Sequence, residues 1–92
     1  MIKQFLHRGL QRFFETGSKA GIQPNHAARL SRQLTRLDEA KNPDDMNVPG
    51  WGLHALQGKL SGRYAITVNG NWRMTFKFEG EDALLVDYVD YH

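Results

Sequence analysis

With 92 residues the chain is long enough for one domain with a modest core, since folding at this size buries roughly 60–65% of the unfolded surface. Apolar residues make up 40% and aromatic residues 11% at a net charge of +2, a composition that excludes a disordered chain. The absence of cysteine excludes disulfides, thiolate nucleophiles and cysteine-bearing zinc sites, and a longest apolar run of four residues excludes a membrane span. The amino terminus shows no secretory signal pattern, so we expect a cytoplasmic protein.

Charge is divided unevenly along the chain. Residues 1–36 carry +6, residues 37–62 carry −2, residues 63–78 carry +3 and residues 79–92 carry −5. This division predicts a basic face that binds a polyanion and an acidic end that contacts another molecule. The alternative is an uneven distribution that arose by chance.

The first part of the chain predicts a short strand at residues 2–5, followed by two helices. The apolar residues of the first helix recur at helical spacing, namely Leu6, Leu10, Phe13 and Phe14. Gly17 ends this helix, because glycine tolerates a positive φ. A second helix begins near Pro24 and carries a stripe of apolar residues, Ala27, Leu30, Leu34 and Leu37.

Three arginines of the second helix, Arg29, Arg32 and Arg36, lie on the side opposite its leucines. One interpretation is a solvated helix face, and the other is a surface that docks on a polyanion. The sequence leaves both interpretations open.

The second half of the chain predicts a small sheet. After a connecting loop at residues 41–52, residues 53–56 form a candidate strand, and apolar and polar residues alternate over residues 64–68 and 72–78. A last strand covers residues 83–88 or beyond. Two N-terminal helices packed on one face of a small, mainly antiparallel twisted sheet make an α+β domain.

The apolar face fixes the predicted register of the hairpin. A three-residue loop at residues 69–71 pairs apolar residues with one another, Val68 with Trp72, Ile66 with Met74 and Tyr64 with Phe76. The other face is then basic, and no part of the sequence is left to cover it. The groups there that suit a phosphate backbone are Lys59, Arg63, Asn71, Arg73 and Lys77. The alternative is that these cations only protect strand edges and keep the protein soluble.

A base, a stacking ring and a proton donor follow one another at Asp90, Tyr91 and His92. His54 is the one further histidine on a predicted strand, since His7 and His26 look like helix-start residues. Two histidines and a carboxylate also suit a metal ion, but the neighbouring cations disfavour a dication. We therefore expect no metal and no cofactor.

Five segments together resemble a known family. They are MIKQF at the amino terminus, FFETGSKAGI (13–22), LHALQG (53–58), YAITVNGNWRMTF (64–76) and VDYVDYH (86–92). Over its full length the chain resembles the HigB-type toxins of bacterial type II toxin–antitoxin systems, a branch of the RelE superfamily. The resemblance implies a single RelE-like toxin domain over residues 1–92.

The resemblance implies a toxin that inhibits translation as a ribosome-dependent mRNA endonuclease. Such a toxin enters the ribosomal A site and cuts the codon there through metal-independent attack by a 2′-OH. The functional positions of the family carry over to His54, Asn71, Arg73, Asp90, Tyr91 and His92. The chain departs from the family's LHPLKG at Ala55 and at Gln57, where the family has lysine, and Lys59 is the candidate replacement.

The chemistry leaves the acid and the base open. Asp90 or His92 is the candidate base for the 2′ proton, and His54 or His92 is the candidate acid for the 5′ oxygen. Arg73 would stabilise charge on the phosphoryl oxygens. Tyr91 suits stacking on a base better than proton transfer.

The resemblance also implies partners. They are a HigA-type antitoxin with a helix-turn-helix, the ribosome with its mRNA, and operator DNA only through the antitoxin complex, with no membrane involved. In this interpretation the helix arginines dock the protein on ribosomal RNA. Two alternatives are a non-catalytic inhibitor that occupies the ribosome or RNA, and a gyrase-directed toxin.

Overall fold

The computed structural model describes residues 1–91, so the predicted role of His92 falls on a residue outside the described part of the chain. Helix α1 spans Arg8–Thr16, which confirms the predicted helix. Its predicted apolar face is confirmed only in part, because Leu10 is buried whereas Leu6 lies before the helix and is 47% exposed, and Phe14 is 36% exposed. Its first turn is capped by His7, whose Nδ1 accepts a hydrogen bond from the N–H of Leu10 at 3.0 Å. Gly17 ends the helix at φ 80, and its N–H donates to the carbonyl of Phe13 at 2.8 Å.

Helix α2 spans Ala27–Glu39 and continues directly from a 3₁₀ turn at Pro24–His26. Its predicted apolar stripe is confirmed as buried: Ala27, Leu30, Leu34 and Leu37. Gln33 is also fully buried, and its amide nitrogen donates to the carbonyl of Thr67 at 2.8 Å. The helix is therefore tied to the sheet by a polar contact as well as by packing.

Residues 1–91 form one four-stranded sheet, with β1 at His54–Ala55, β2 at Tyr64–Asn69, β3 at Trp72–Glu79 and β4 at Asp82–Asp90. The order is β1-β2-β3-β4, and each neighbouring pair is antiparallel. The helices and the sheet enclose the core, which confirms the predicted α+β architecture. The largest fully buried side chains include Phe76, Leu10, Leu30, Leu34, Leu37 and Met46.

The hairpin register is confirmed along the strands but wrong at the turn. Tyr64 pairs with Phe76 and Ile66 with Met74, as predicted. Asn69, however, pairs with Trp72, and a bulge falls at Val68. A two-residue turn thereby connects the strands, while the bulge keeps the Val68 side chain in the core at 2% exposure.

The predicted strand at residues 2–5 is wrong as regular structure. Only two isolated parallel bridges join this segment to β4, Ile2 with Ala83 and Phe5 with Val86. Between these bridges β4 bulges, and Leu85 adopts a positive φ of 54. The bulge interrupts the even spacing that a parallel ladder requires, so the segment lies along β4 without becoming a strand.

The predicted strand at residues 53–56 is confirmed only in part. The candidate strand at residues 53–56 contains only the two residues of β1, because further along β2 the N–H of Thr67 is bonded to the carbonyl of Trp51 in the connecting loop.

Within residues 1–91 no helix has the length and apolar character needed to cross a bilayer.

Candidate functional site

The sheet turns one face away from the helices, and the register defines the side chains on it. In antiparallel pairs the opposed side chains share a face, so His54, Ala65, Thr75 and Asp87 form one row across all four strands. A second row contains Thr67, Arg73 and Val89. We call the face that carries these two rows the outer face.

The prediction that the outer face is uncovered is wrong at its centre. Ala65 is 0% exposed and Thr75 is 3% exposed. Both side chains are small, and the register surrounds them with longer ones on the same strands and on their neighbours. Accessible polar groups therefore lie around the rim of the outer face.

Arg73 lies at the hairpin end of the outer face and is half-buried. One guanidinium nitrogen, Nη1, donates to the carbonyl of Gly70 at 2.6 Å and to that of Trp72 at 3.0 Å. Within residues 1–91 its Nε and Nη2 have no acceptor. The turn thus holds the guanidinium in place while two nitrogens remain for a ligand such as phosphate.

Asn71, Asp90 and Tyr91 lie at the same end of the sheet as Arg73. The N–H of Tyr91 donates to the carbonyl of Asn71 at 2.9 Å, which continues the ladder past the end of β4. Tyr91 is 41% exposed. Asp90 pairs with Trp72, so it alternates onto the other side from Arg73, although it is exposed at the strand end. We call Asn71, Arg73, Asp90 and Tyr91 the hairpin-tip group.

His54 lies between the two ends of the sheet and is exposed. Its Nδ1 is 2.9 Å from the carbonyl oxygen of Gly52. A carbonyl only accepts hydrogen bonds, so Nδ1 carries a proton and proton exchange with a ligand passes through Nε2. Strands lie about 4.8 Å apart, which puts β1 about 10 Å from the strand of Arg73.

The remaining predicted cations gather at the opposite end of the sheet. Gln57 and Lys59 are exposed at the 3₁₀ turn Gly58–Leu60, and the N–H of Leu56 closes this loop on the carbonyl of Arg63. We call these four residues the loop-end group: Gln57, Lys59, Arg63 and Lys77. Lys77 is four residues from Arg73 on one strand, about 13 Å away. The predicted site is therefore two groups with His54 between them.

Two of the three helix arginines are bonded to other parts of the chain. Arg29 is half-buried, and its Nη2 donates to the carbonyls of Gly50 at 3.0 Å and Thr67 at 3.3 Å. The Nε of Arg36 donates to the carbonyl of Asp45 at 2.8 Å. The interpretation of all three as one solvated row is wrong, because the loop at residues 41–52 folds back against α2.

A buried His–Tyr pair was missed by the sequence analysis, which placed His26 only as a helix-start residue. Its Nδ1 lies 2.6 Å from the hydroxyl of Tyr88, and both residues are 4% exposed. Burial lowers the pKa of His26 from 6.5. Burial, and to a lesser degree the charge of Asp90, raise the pKa of Tyr88 from 10.0, against the opposing effect of the Gln23 N–H. Both groups are thus held neutral.

Asp87 was also missed, although the alternation of VDYVD places it opposite in phase to Tyr88. It brings a half-buried carboxylate onto the outer face in the row of His54. Its Oδ1 accepts a hydrogen bond from the N–H of Tyr88 at 2.8 Å. In the described part of the chain no three His, Asp or Glu side chains gather as a metal-ligand set.

The chain is similar to known proteins over its whole length. It is 39% identical over 92 residues to the Endoribonuclease HigB of Proteus vulgaris, covering 100% of both chains. It is 30% identical over 94 residues to Toxin HigB-1 of Vibrio cholerae serotype O1, covering 100% of this chain and 98% of that protein. A copper-bound mutant toxin from Helicobacter pylori shares the fold at 15% identity, with a TM-score of 0.55 over 99% of this chain and 96% of the other.

The family signature described as a RelE-like toxin of the type II toxin–antitoxin system HigB matches residues 3–92. With the α+β architecture and the two full-length relatives, this match identifies the family. The chain belongs to the HigB-like, RelE-like toxins of type II toxin–antitoxin systems.

Proposed function

We propose that the protein is an endoribonuclease that cuts mRNA on the ribosome and so stops translation. The observation that carries the proposal is that Arg73 and His54 lie on one face of the sheet. In each side chain one nitrogen is bonded to a backbone carbonyl, which leaves Nε and Nη2 of Arg73 and Nε2 of His54 for a ligand. The name of the Proteus vulgaris relative, an endoribonuclease, supports the same reaction.

The proposed chemistry is an intramolecular transfer within the RNA. The 2′ oxygen forms a bond to the adjacent phosphorus as the bond from phosphorus to the 5′ oxygen breaks, giving a 2′,3′-cyclic phosphate and a free 5′-OH. A base takes the 2′ proton, for which Asp90 and His92 are the candidates. An acid protonates the 5′ oxygen, for which the Nε2 of His54 is the candidate within the described residues.

Arg73 and Tyr91 hold the RNA in this proposal. The Nε and Nη2 of Arg73 suit a bidentate contact to the phosphoryl oxygens, where charge grows during the reaction. The exposed ring of Tyr91 suits stacking on a base, and the amide of Asn71 suits hydrogen bonding to one. No step requires a metal ion or a cofactor.

The loop-end group extends the basic surface along the sheet. Lys59, Arg63 and Lys77 suit phosphates of the RNA away from the cut, and Gln57 offers an amide where the family has a lysine. We propose that these residues bind the RNA strand and that Lys59 supplies the cation missing at Gln57. Ribosome dependence follows because a site with few strong acid–base groups relies on the ribosome to align the RNA.

Membership of the toxin family implies an antitoxin as partner. We propose that this antitoxin is of the HigA type with a helix-turn-helix, that the pair reaches operator DNA only through the antitoxin, and that the toxin acts in the cytoplasm on ribosome-bound mRNA.

Primer extension on mRNA incubated with ribosomes and the protein tests the proposal. We expect strong stops within A-site codons, products with a 2′,3′-cyclic phosphate, and persistence of cleavage in EDTA once the ribosomes are stabilised by polyamines. His54→Ala reduces the rate by about 100-fold or more if His54 transfers the proton. Efficient cleavage of naked mRNA at the same protein concentration contradicts ribosome dependence, and ribosome binding without cleavage favours a non-catalytic inhibitor.

A further inference from the structure

Four aromatic rings gather on the helix side of the sheet, under its hairpin end. Tyr88 stacks on Trp72 with ring centres 4.4 Å apart, and the edge of His7 meets Tyr88 at 5.3 Å. His26 contacts both Trp72 and Tyr88 edge-on, at 5.8 and 6.0 Å. The proposed chemistry on the outer face uses none of these rings.

The hydroxyl of Tyr88 joins this cluster to the start of α2. It accepts a hydrogen bond from the N–H of Gln23 at 3.3 Å, so its own hydrogen is available for His26 Nδ1 at 2.6 Å. The neutral forms of both side chains, which burial favours, match this bond. One phenol oxygen therefore fixes β4 against the 3₁₀ turn that precedes α2.

The same rings lie one residue away from the hairpin-tip group. Trp72 directly precedes Arg73 and pairs with Asp90 across the ladder, while Tyr88 pairs with Met74. Beyond these pairs the ladder continues only through the bond from Tyr91 N–H to the Asn71 carbonyl within residues 1–91. The stack of Trp72 on Tyr88 is thus the last packed contact before the strand ends that bear the proposed site.

We propose that Tyr88 and His26 are positioning residues, whose hydrogen bond and stack with Trp72 hold the ends of β3 and β4, so that Arg73 on the outer face and the exposed strand-end residues Asp90 and Tyr91 keep one arrangement. This inference rests on the proposed function. It predicts that loss of the hydroxyl leaves RNA binding intact and slows the chemical step, because preorganised groups then sample several orientations.

The test uses Tyr88→Phe, which keeps the ring and removes the hydroxyl. We expect a fall of about tenfold or more in kcat on ribosomes with KM unchanged. Tyr64→Phe is the matched control, since Tyr64 stacks on Phe76 on the same side of the sheet and its hydroxyl has no hydrogen bond within residues 1–91. Leu37→Val, at the far end of α2, controls for a general loss of stability; both controls keep the parent kcat.

His26 provides a second pair of variants. His26→Asn keeps an acceptor near the position of Nδ1 and is expected to retain most of the activity, whereas His26→Leu is expected to match Tyr88→Phe. Equal loss in both variants overturns the hydrogen-bond role. All assays run well below the melting temperature of each variant, so that every molecule is folded.

Amide hydrogen exchange gives a readout that does not depend on cleavage. In Tyr88→Phe the Tyr91 amide is expected to lose protection by about tenfold, while amides at the far end of β3, such as Phe78, keep theirs. A parent that binds ribosomes but cuts no RNA refutes the proposed function, and exchange at Tyr91 still decides whether the hydroxyl holds the strand ends. The inference is overturned if Tyr88→Phe keeps the kcat of the parent per folded molecule, or if its Tyr91 amide keeps the protection seen in the parent.

Discussion

Arg73 combines a structural contact with the proposed contact to phosphate, and both come from one guanidinium. Nη1 is bonded to two carbonyls of the hairpin turn, so the side chain is held before any ligand arrives. An arginine fits this double use better than a lysine, because its planar group offers donors in several fixed directions. A lysine carries all its donors on one nitrogen atom, so it cannot present a separate planar pair of N–H groups to a phosphate.

Arg73→Ala is expected to reduce ribosomal mRNA cleavage by at least about 100-fold, since a preorganised phosphate contact is lost. It also lowers the free energy of unfolding by about 1 kcal/mol, because the turn loses its hydrogen bonds. Primer extension and urea unfolding measure the two effects. Lys77→Ala, on the same strand and face, is the control and loses much less activity; equal losses in the two variants contradict a special role for Arg73.

His26 makes the stability of the fold depend on pH. Its pKa is lowered from 6.5 by burial, so the unfolded chain binds a proton near pH 6.5 that the folded protein binds only at lower pH. The free energy of unfolding is therefore expected to decrease as the pH falls from 7 to 5. Urea unfolding of the parent and of His26→Asn at several pH values isolates this contribution. Parallel curves for the two proteins contradict the neutral, buried state of His26.

Helix α2 illustrates how a row of like residues separates into different roles once the chain folds. Arg29 bonds to the carbonyls of Gly50 and Thr67 and its Nε is buried, whereas Arg32 is exposed with no bond inside residues 1–91. We expect Arg29→Ala to lower the free energy of unfolding by about 1–3 kcal/mol and Arg32→Ala to change it by less than about 0.5 kcal/mol. Thermal melts compare the two variants; equal melting temperatures contradict a stabilising role for the hydrogen bonds of Arg29.

Arg32 is exposed and, within residues 1–91, makes no hydrogen bond, so it is the helix arginine on which we test the predicted docking on ribosomal RNA. Arg32→Ala is expected to weaken ribosome association slightly at low salt and to leave the cleavage rate at saturating ribosome unchanged. The same affinity for parent and variant across a salt titration returns Arg32 to an ordinary solvated position.

Helix α1 meets the following turn backbone to backbone. A Cβ on Gly9 would overlap the carbonyl oxygen of Gly21, and a Cβ on Gly21 would overlap the Cα of Gly9. Alanine is normally favoured over glycine inside a helix by about 1 kcal/mol, but here we expect Gly9→Ala to destabilise the fold by about 1–3 kcal/mol. Arg8→Ala, in the same helical turn and exposed, is the neutral control in urea unfolding. A more stable Gly9→Ala refutes the close contact.

The elements themselves were predictable from local pattern, and the departures lie where the pattern changes phase. Alternation and helical spacing predicted both helices and the register from Tyr64 to Thr67. The shared face of His54 and Arg73 was not predicted, because it follows from the pairing of β1 with β2. The bulges at Val68 and Leu85 were not predictable, because each is a compromise between turn geometry and core packing across strands. The bulge at Leu85 also shifts the alternation of the residues that follow it in β4, and so determines the side of the sheet on which Asp90 lies.

Contacts between distant segments account for the rest of what the sequence analysis missed. The bond between His26 and Tyr88 joins residues 62 apart, and those of Arg29 reach 21 and 38 residues along the chain. No local periodicity encodes such contacts. The family resemblance supplied the positions of the candidate site, but not their division into two groups at opposite ends of the sheet.

At the scale of the whole molecule, β4 joins the two ends of the described chain. It pairs with β3 along nearly its full length, accepts the bridges from Ile2 and Phe5, and supplies Ala83, Val86 and Tyr88 to the core. We expect a polypeptide of residues 1–81 to lack a cooperative thermal transition and dispersed amide resonances, since the core remains open along β3. Circular dichroism and NMR test this; a cooperative melt of residues 1–81 shows that the remaining elements fold without β4.

The place of β4 in the chain has a consequence for protein synthesis. A ribosome makes residues 82–91 after every segment with which they pair, so the nascent chain holds an unfinished sheet until that last strand has emerged. Two residues of the hairpin-tip group, Asp90 and Tyr91, arrive in the same stretch. A chain that stops before residue 82 therefore lacks both the strand that closes the sheet and these two residues of the proposed site.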